Sequence, residues 1–185
     1  MARAAWKRVS SDAYGERPKH RLLREGFVSG RTGQTIEALV IDAPHWASVV
    51  PLTADGQVVL VRQYRFGTLS EVLEVPGGLV DPGEAPVVAA QRELREETGY
   101  RCERMTSLGS VSPNPAFMRN RLHYFVAEGC VLDGSQQLDP GEDIAVELHA
   151  LSSIDGLIAR GELDHALAQL AFKRLELLRA GHTFE

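Results

Sequence analysis

The sequence predicts an α+β fold, a sandwich with helices on both faces of a mixed sheet, carrying an N-terminal β-hairpin extension and a C-terminal helix. Three observations predict it. Extended, β-branched runs dominate up to residue 75, one strongly helical stretch sits mid-chain, and further alternating runs lead to an amphipathic helix at the end. The 185 residues, 44% of them hydrophobic, suffice for one domain with a real core and are short for two.

Residues 1–19 are polar and read as a loose lead-in, with Ser10-Ser11-Asp12 and Gly15-Glu-Arg-Pro18. Residues 20–44 read as a β-hairpin: Leu22 to Val28 and Thr35 to Ile41 are extended runs about Gly30-Arg-Thr-Gly33. The main domain is expected over 45–185. It opens with a second hairpin, Ala47 to Leu52 and Val58 to Arg62, with Asp55-Gly56 at the tip. Glu71 to Val75 is a short strand running into Pro76-Gly77-Gly78, where a loop is expected because the glycines free the backbone. Glu84 to Thr98 favours helix, and Gly99 stands where a left-handed C-terminal cap belongs. Arg104 to Val111, Arg121 to Ala127 and Ile144 to Ala150 alternate as strands, and Ile154 to Arg160 is helical. In the last helix, His165 to Leu178, the residues Leu167, Leu170, Ala171, Arg174 or Leu175, and Leu178 recur at three and four as a stripe for packing on the sheet.

Composition excludes several classes. No apolar run reaches the roughly 18 residues of a membrane span, and the basic start has no apolar segment behind it, so a cytoplasmic protein without membrane contact is expected. Cys102 and Cys130 lie in no Cys-x-x-Cys pair, which argues against a disulfide framework or structural zinc. The net charge of −5 is uneven. Residues 1–31 hold eight basic and three acidic residues, but the arginines are scattered without a recognition motif, so no nucleic-acid partner is expected. From Glu71 to Glu97, seven acids face Arg92 and Arg95 alone, a cluster that repels itself unless water or cations screen it.

That cluster has a pattern. From Gly78 the chain reads Gly78-Leu-Val-Asp-Pro-Gly-Glu84, then Arg92-Glu93-Leu94-Arg95-Glu96-Glu97-Thr98-Gly99-Tyr100. Residues three and four apart share a helix face, so Glu93, Glu96 and Glu97 project together as hard oxygen donors suited to Mg²⁺ or Mn²⁺. Any one glutamate alone would read as a solvated helix face, and Arg92 with Glu96 as an ordinary surface pair. The whole set resembles the Nudix box, G-x5-E-x7-R-E-U-x-E-E-x-G-U with U apolar, at every fixed position. Nine such constraints coincide by chance in a chain of this length less than roughly one time in a million.

The resemblance implies a Nudix hydrolase with an α/β/α sandwich. It implies metal ligation chiefly by Glu93, Glu97 and the Gly77 carbonyl, with Glu96 near the ions and Arg92 holding a box glutamate in place. Such a site hydrolyses a nucleoside diphosphate linked to another group. Upstream, Leu60-Val-Arg62-Gln63-Tyr64-Arg65 and Glu74-Val-Pro76-Gly77-Gly78 resemble segments of the ADP-ribose and nucleoside-diphosphate-sugar pyrophosphatases, with Gly77 in place of the common alanine. That points to Arg65 first and Arg62 second as diphosphate contacts, giving a nucleoside monophosphate and a sugar phosphate as products. Ser112-Pro113-Asn114-Pro115 falls near the proline-containing loop of that subfamily, making Pro115 a substrate-binding candidate. Asp139 to Val146 resembles its Glu-Asp-Ile-x-Val segment, making Glu142 a candidate extra ligand or general base. Relatives of this subfamily are usually homodimers with a crossing N-terminal hairpin, which residues 20–44 match.

Other residues carry less. His123 and His149 alternate within strands and read as packing or surface residues; Trp46 reads as a structural aromatic before a base-stacking one. The alternatives are a sensor that binds ADP-ribose or a nucleotide without hydrolysing it and a Nudix hydrolase for another nucleoside diphosphate derivative; the complete set of box carboxylates favours an enzyme over the sensor.

Overall fold

The computed structural model describes residues 6–17 and 19–184, with the backbone alone for 6–8 and 13–17. They fall into two units, the first made of the chain up to Pro44 together with Ser112–Arg121, the second of His45–Val111 and Leu122 onward.

In the first unit β1 (Trp6–Arg17), β2 (His20–Ser29) and β3 (Thr35–Asp42) form an antiparallel sheet in that order. The expected hairpin is β2 with β3, in register from Arg21 opposite Asp42 to Val28 opposite Thr35. Its turn closes through Gly33 N donating to Ser29 O at 2.8 Å, with Gly33 at φ 70°, a left-handed conformation that glycine enters without a Cβ penalty. The stretch expected as a loose lead-in over 1–19 is instead a strand through Trp6–Arg17, paired along β2 with register shifts between Arg8 and Ser10 and between Ala13 and Gly15. Backbone pairing carries that strand, so the apolar alternation sought in the sequence is missing from it; the lead-in's Met1 to Ala5 and Pro18 lie outside the described residues. Ser112–Arg121 also departs from the expected 45–185 division. It joins the first unit through Ile41 N to Phe117 O at 2.7 Å and Arg119 N to Ile41 O at 3.1 Å. Glu25, fully buried, accepts from Ser11 Oγ and Arg119 Nη2, both at 2.7 Å.

The second unit contains β4 (Trp46–Thr53), β5 (Gln57–Arg65), β6 (Ser70–Glu74), β7 (Gly77–Leu79), α1 (Pro86–Thr98), β8 (Tyr100–Arg101), β9 (Arg104–Val111), β10 (Leu122–Leu132) and β11 (Ile144–Ala150). A 3-10 turn (Leu151–Ser153), α2 (Ile154–Ala159) and α3 (Ala166–Arg179) complete it. The sheet runs β11-β5-β4-β10-β8, with β6 on β5, β7 on β4 and β9 on β10. The β4–β10 pair is parallel and the other pairs antiparallel, so the sheet is mixed as the sequence predicted.

Alternation along the central strands builds two apolar layers. Val50 and Leu52 of β4, Val58 and Leu60 of β5, and Leu122, Tyr124 and Val126 of β10 pack with Ile154, Leu157, Ala171, Phe172 and Leu175 of α2 and α3. The intervening Ala47, Val49, Phe125 and Ala127 pack with Ala89, Ala90 and Leu94 of α1. Helices therefore cover both faces, the predicted α/β/α sandwich. Cutting Leu60 or Leu94 to alanine is expected to cost roughly 2–5 kcal/mol.

Two expectations shift. The loop expected from Pro76 is interrupted by β7, which pairs Gly77 with Ser48 and Gly78 with Ala47. The glycines permit the approach, since a Cβ on Gly77 would lie 2.2 Å from Ala47 O. On α3 the buried residues are Ala168, Ala171, Phe172 and Leu175, while Leu167, Leu170 and Leu178 flank them half-buried. The stripe is rotated because Phe172 takes the central position, and Arg174 instead lies over the Phe184 ring at 4.4 Å.

Candidate active site

Helix α1 starts with Pro86 in its first turn and ends at Gly99, whose φ of 73° lets its N–H return to Arg95 O at 2.8 Å. Between these ends Ala89, Ala90 and Leu94 face the sheet, which fixes the rotation of the helix and carries Glu93 and Glu97 toward β7. Glu97 is 3% exposed, and its Oε2 accepts from Gly77 N at 2.9 Å. Glu93 packs over Gly78, where a Cβ would come within 2.4 Å of Oε1.

Arg92 is the hub of the cluster. Its Nε and Nη2 donate to the two oxygens of Glu84 at 3.0 Å, and Nη2 also donates to Leu79 O at 3.0 Å. Its Nη1 donates to Glu93 Oε1 at 2.8 Å and Glu96 Oε2 at 3.1 Å. Glu84 in turn accepts from Asp81 N at 3.0 Å. The guanidinium holds the Glu84 carboxyl below the usual range, and these carboxylates raise Arg92 further into its charged form.

Both inward glutamates are shifted in the same direction, upward. Burial pushes Glu97 up to about 8, against the Gly77 N–H, with the charges of Glu93 and Glu142 adding to the rise. Burial also raises Glu93, opposed by Arg92. Acids crowded this way are a site that a cation relieves. Among the described residues no three acidic, histidine or cysteine side chains already converge as a cage for an ion. Instead Glu93, Glu96 and Glu97 each commit one oxygen to a protein donor. Their other oxygens are not among the buried unpartnered atoms, which are those of Asn120. A hard divalent cation fits this all-oxygen donor set. Gly77 enters the cluster through its N–H.

Glu142 sits on the loop before β11, with Oε2 accepting from Asp139 N at 2.9 Å, and its charge bears on both Glu93 and Glu97. The two arginines separate. Arg65 donates from Nε and Nη2 to the buried Glu74 at 2.6 and 2.8 Å, and its charge is felt at Glu97. Arg62 does not join the cluster: it pairs with Glu147 at 2.5 Å, and Glu147 also meets His149 Nε2 at 2.9 Å. Strand alternation is the reason, since Arg62 shares its side of β5 with Leu60, which packs under α2 and α3. Pro115 belongs to the first unit, in a turn where Ala116 N, Phe117 N and Met118 N donate to Asn114.

Sequence reasoning missed Glu74 as the anchor of Arg65, with His165 Nδ1 also 3.3 Å from its Oε2, and missed Gln136, whose Nε2 donates to Glu97 O at 2.6 Å and Ile144 O at 2.9 Å. An acid inside the apolar strand Glu71 to Val75 was the available signal for Glu74; no signal marked Gln136. His123 meets the His45 ring edge-on at 5.6 Å and Trp46 packs half-buried on the core, as expected of structural residues.

Comparison with known proteins follows the same lines. Residues 44–170 match the family model described as NUDIX domain. The chain is similar to the methanol dehydrogenase activator of Bacillus methanolicus, 35% identical over 77% of this chain and 71% of that protein. It is 30% identical to the ADP-ribose pyrophosphatase of Bacillus subtilis over 80% of each chain. In fold it resembles a crystal structure of ADP compounds hydrolase, with a TM-score of 0.86 over 98% of this chain and 97% of that one, at 21% identity.

Proposed function

The chain belongs to the NUDIX family, and on that premise we propose that it hydrolyses the diphosphate bond of ADP-ribose or related nucleoside diphosphate sugars, giving a nucleoside monophosphate and a sugar phosphate. The observation that carries the reading is the Arg92 hub, which holds Glu93 and Glu96 beside a buried Glu97, each with one oxygen left for a cation. The similarity to an ADP-ribose pyrophosphatase supports the substrate class.

Glu93, Glu96 and Glu97, with the Gly77 carbonyl, would hold the divalent cation, Mg²⁺ in first place and Mn²⁺ in second. Bound there, such an ion neutralises the diphosphate and supplies Lewis acidity at the phosphoryl group. Arg92 keeps the carboxylates apart from one another and oriented. Arg65, anchored to Glu74 through Nε and Nη2, offers Nη1 to a diphosphate oxygen. Glu142, with Oε2 engaged by Asp139 N, accepts the proton of the attacking water on Oε1.

The same reading includes a homodimer in the reducing cytoplasm. The half-exposed Ile36 and Leu39 of β3 are apolar surface for a partner copy, and both thiols are unpaired. Light scattering on the purified protein tests the dimer.

The activity is tested by product release from ADP-ribose, GDP-mannose, UDP-glucose, a diadenosine polyphosphate and NADH, each with Mg²⁺ and with a chelator. Metal-dependent cleavage of ADP-ribose or the sugar nucleotides is expected. Silence on these with tight ADP-ribose binding would replace the enzyme by a sensor.

A further inference from the structure

The C-terminal end of α1 leaves backbone carbonyls that the helix itself cannot satisfy. Here they are met from one later segment. Gln137 N donates to Glu96 O at 2.8 Å, and Asp133 N and Gly134 N donate to Gly99 O at 2.9 and 3.2 Å. Gln136 reaches further: its Nε2 donates to Glu97 O at 2.6 Å and to Ile144 O at 2.9 Å. One amide thus spends both hydrogens on two carbonyls that belong to different elements, the end of α1 and the start of β11. Glu97 is the residue whose carbonyl it holds, and Glu142 lies two residues before Ile144. The charge of Glu142 acts on Glu97. The bridge adds to the pairing of β11 with β5, which begins at Ile144 opposite Gln63, in holding the main chain that carries Glu142 beside the end of α1.

We propose that Gln136 is a positioning residue, which fixes the separation between the Glu97 and Glu142 carboxylates by tying their main chains together. The proposal rests on reading Glu93 and Glu97 as cation ligands. Gln136→Met keeps length and removes the donor, while Gln137→Ala, which loses an exposed side chain and keeps the backbone bond, serves as control.

The experiment measures Mn²⁺ affinity by electron paramagnetic resonance, together with kcat and KM on ADP-ribose and the melting temperature. Gln136→Met is expected to weaken Mn²⁺ binding and lower kcat, each about tenfold, with KM changed less than about twofold and Gln137→Ala like wild type. A lowered melting temperature with Mn²⁺ affinity and kcat unchanged would make Gln136 merely structural and overturn the proposal. If Gln136→Met does not fold, Gln136→Asn, one methylene too short to span both carbonyls, is judged by the same criteria. Weaker Mn²⁺ binding in the variant, beside a wild type that cleaves none of the nucleotides, would uphold the positioning and sink the substrate reading. A wild type that binds no Mn²⁺ overturns both.

Discussion

Arg92 and Glu84 meet fork to fork, Nε to Oε1 and Nη2 to Oε2, each at 3.0 Å, across the loop that precedes α1. The remaining nitrogen reaches Glu93 and Glu96, so one planar guanidinium sets the loop and the helix face together. A lysine cannot reproduce that geometry, because its ammonium is a single point on a flexible stem. Arg92→Lys is therefore expected to lose about 1–2 kcal/mol of stability and at least about tenfold in kcat. Urea unfolding and steady-state kinetics check this, and a variant with wild-type kcat would remove Arg92 from the site.

Gly78 and Gly77 separate function from folding. A Cβ at Gly78 meets the far end of the Glu93 side chain at 2.4 Å, which can swing aside; a Cβ at Gly77 meets the backbone oxygen of Ala47 at 2.2 Å, which cannot. Gly78→Ala is expected to fold, losing less than about 1 kcal/mol, while displacing Glu93 and lowering divalent-cation affinity about tenfold. Gly77→Ala is expected to cost more than about 2 kcal/mol, because β7 must leave β4. Calorimetric Mn²⁺ titration beside thermal melts distinguishes the two, and equal losses in both variants would refute the distinction.

These residues also show what was legible in the sequence. Glu93, Glu96 and Glu97 could be placed on one face by helical spacing alone, and the sheet by alternation at β4, β5 and β10. What escaped depends on contacts between distant segments. The strand Trp6–Arg17 lacks apolar alternation because it is held by pairing to β2. Arg62 and Arg65 look equivalent in a row of residues, and only the parity of β5 relative to α1 sends Arg65 toward the carboxylates and Arg62 toward Glu147. Gln136 touches the site through two backbone carbonyls, a relationship that no residue-type pattern encodes.

Arg62 and Glu147 give a prediction in pH. The Arg62 hydrogen bonds hold Glu147 below the usual carboxylate value of 4.5, with His149 adding to the effect. A carboxyl lowered on folding stabilises the fold above its unfolded value and loses that contribution as pH falls through the folded one. Both side chains are 30% exposed, so the contribution is discounted to about 0.5–1 kcal/mol. Glu147→Gln should therefore melt below wild type at pH 7, and the gap should close progressively below pH 4.5. A gap of constant size from pH 7 to pH 3 would mean that the loss is packing and not charge.

Glu97 is where stability and turnover should part company. Its carboxylate is 3% exposed, so the charge carries a desolvation cost that the single Gly77 N–H at 2.9 Å offsets in part. Glu97→Gln keeps volume and an oxygen for that N–H while removing the charge. The metal-free variant is expected to melt no lower than wild type, most clearly above pH 8, where the wild-type carboxyl must carry a buried charge that the amide lacks. Turnover should fall roughly a hundredfold or more, equivalent to about 3 kcal/mol of transition-state stabilisation, because a ligand charge is gone as well. Thermal melts without metal and kcat with saturating Mg²⁺ are the two measurements. A residue kept for the fold would lose both together; a melting temperature held or raised beside a collapsed kcat marks one kept for the reaction, and a near wild-type kcat would strip Glu97 of its role as ligand.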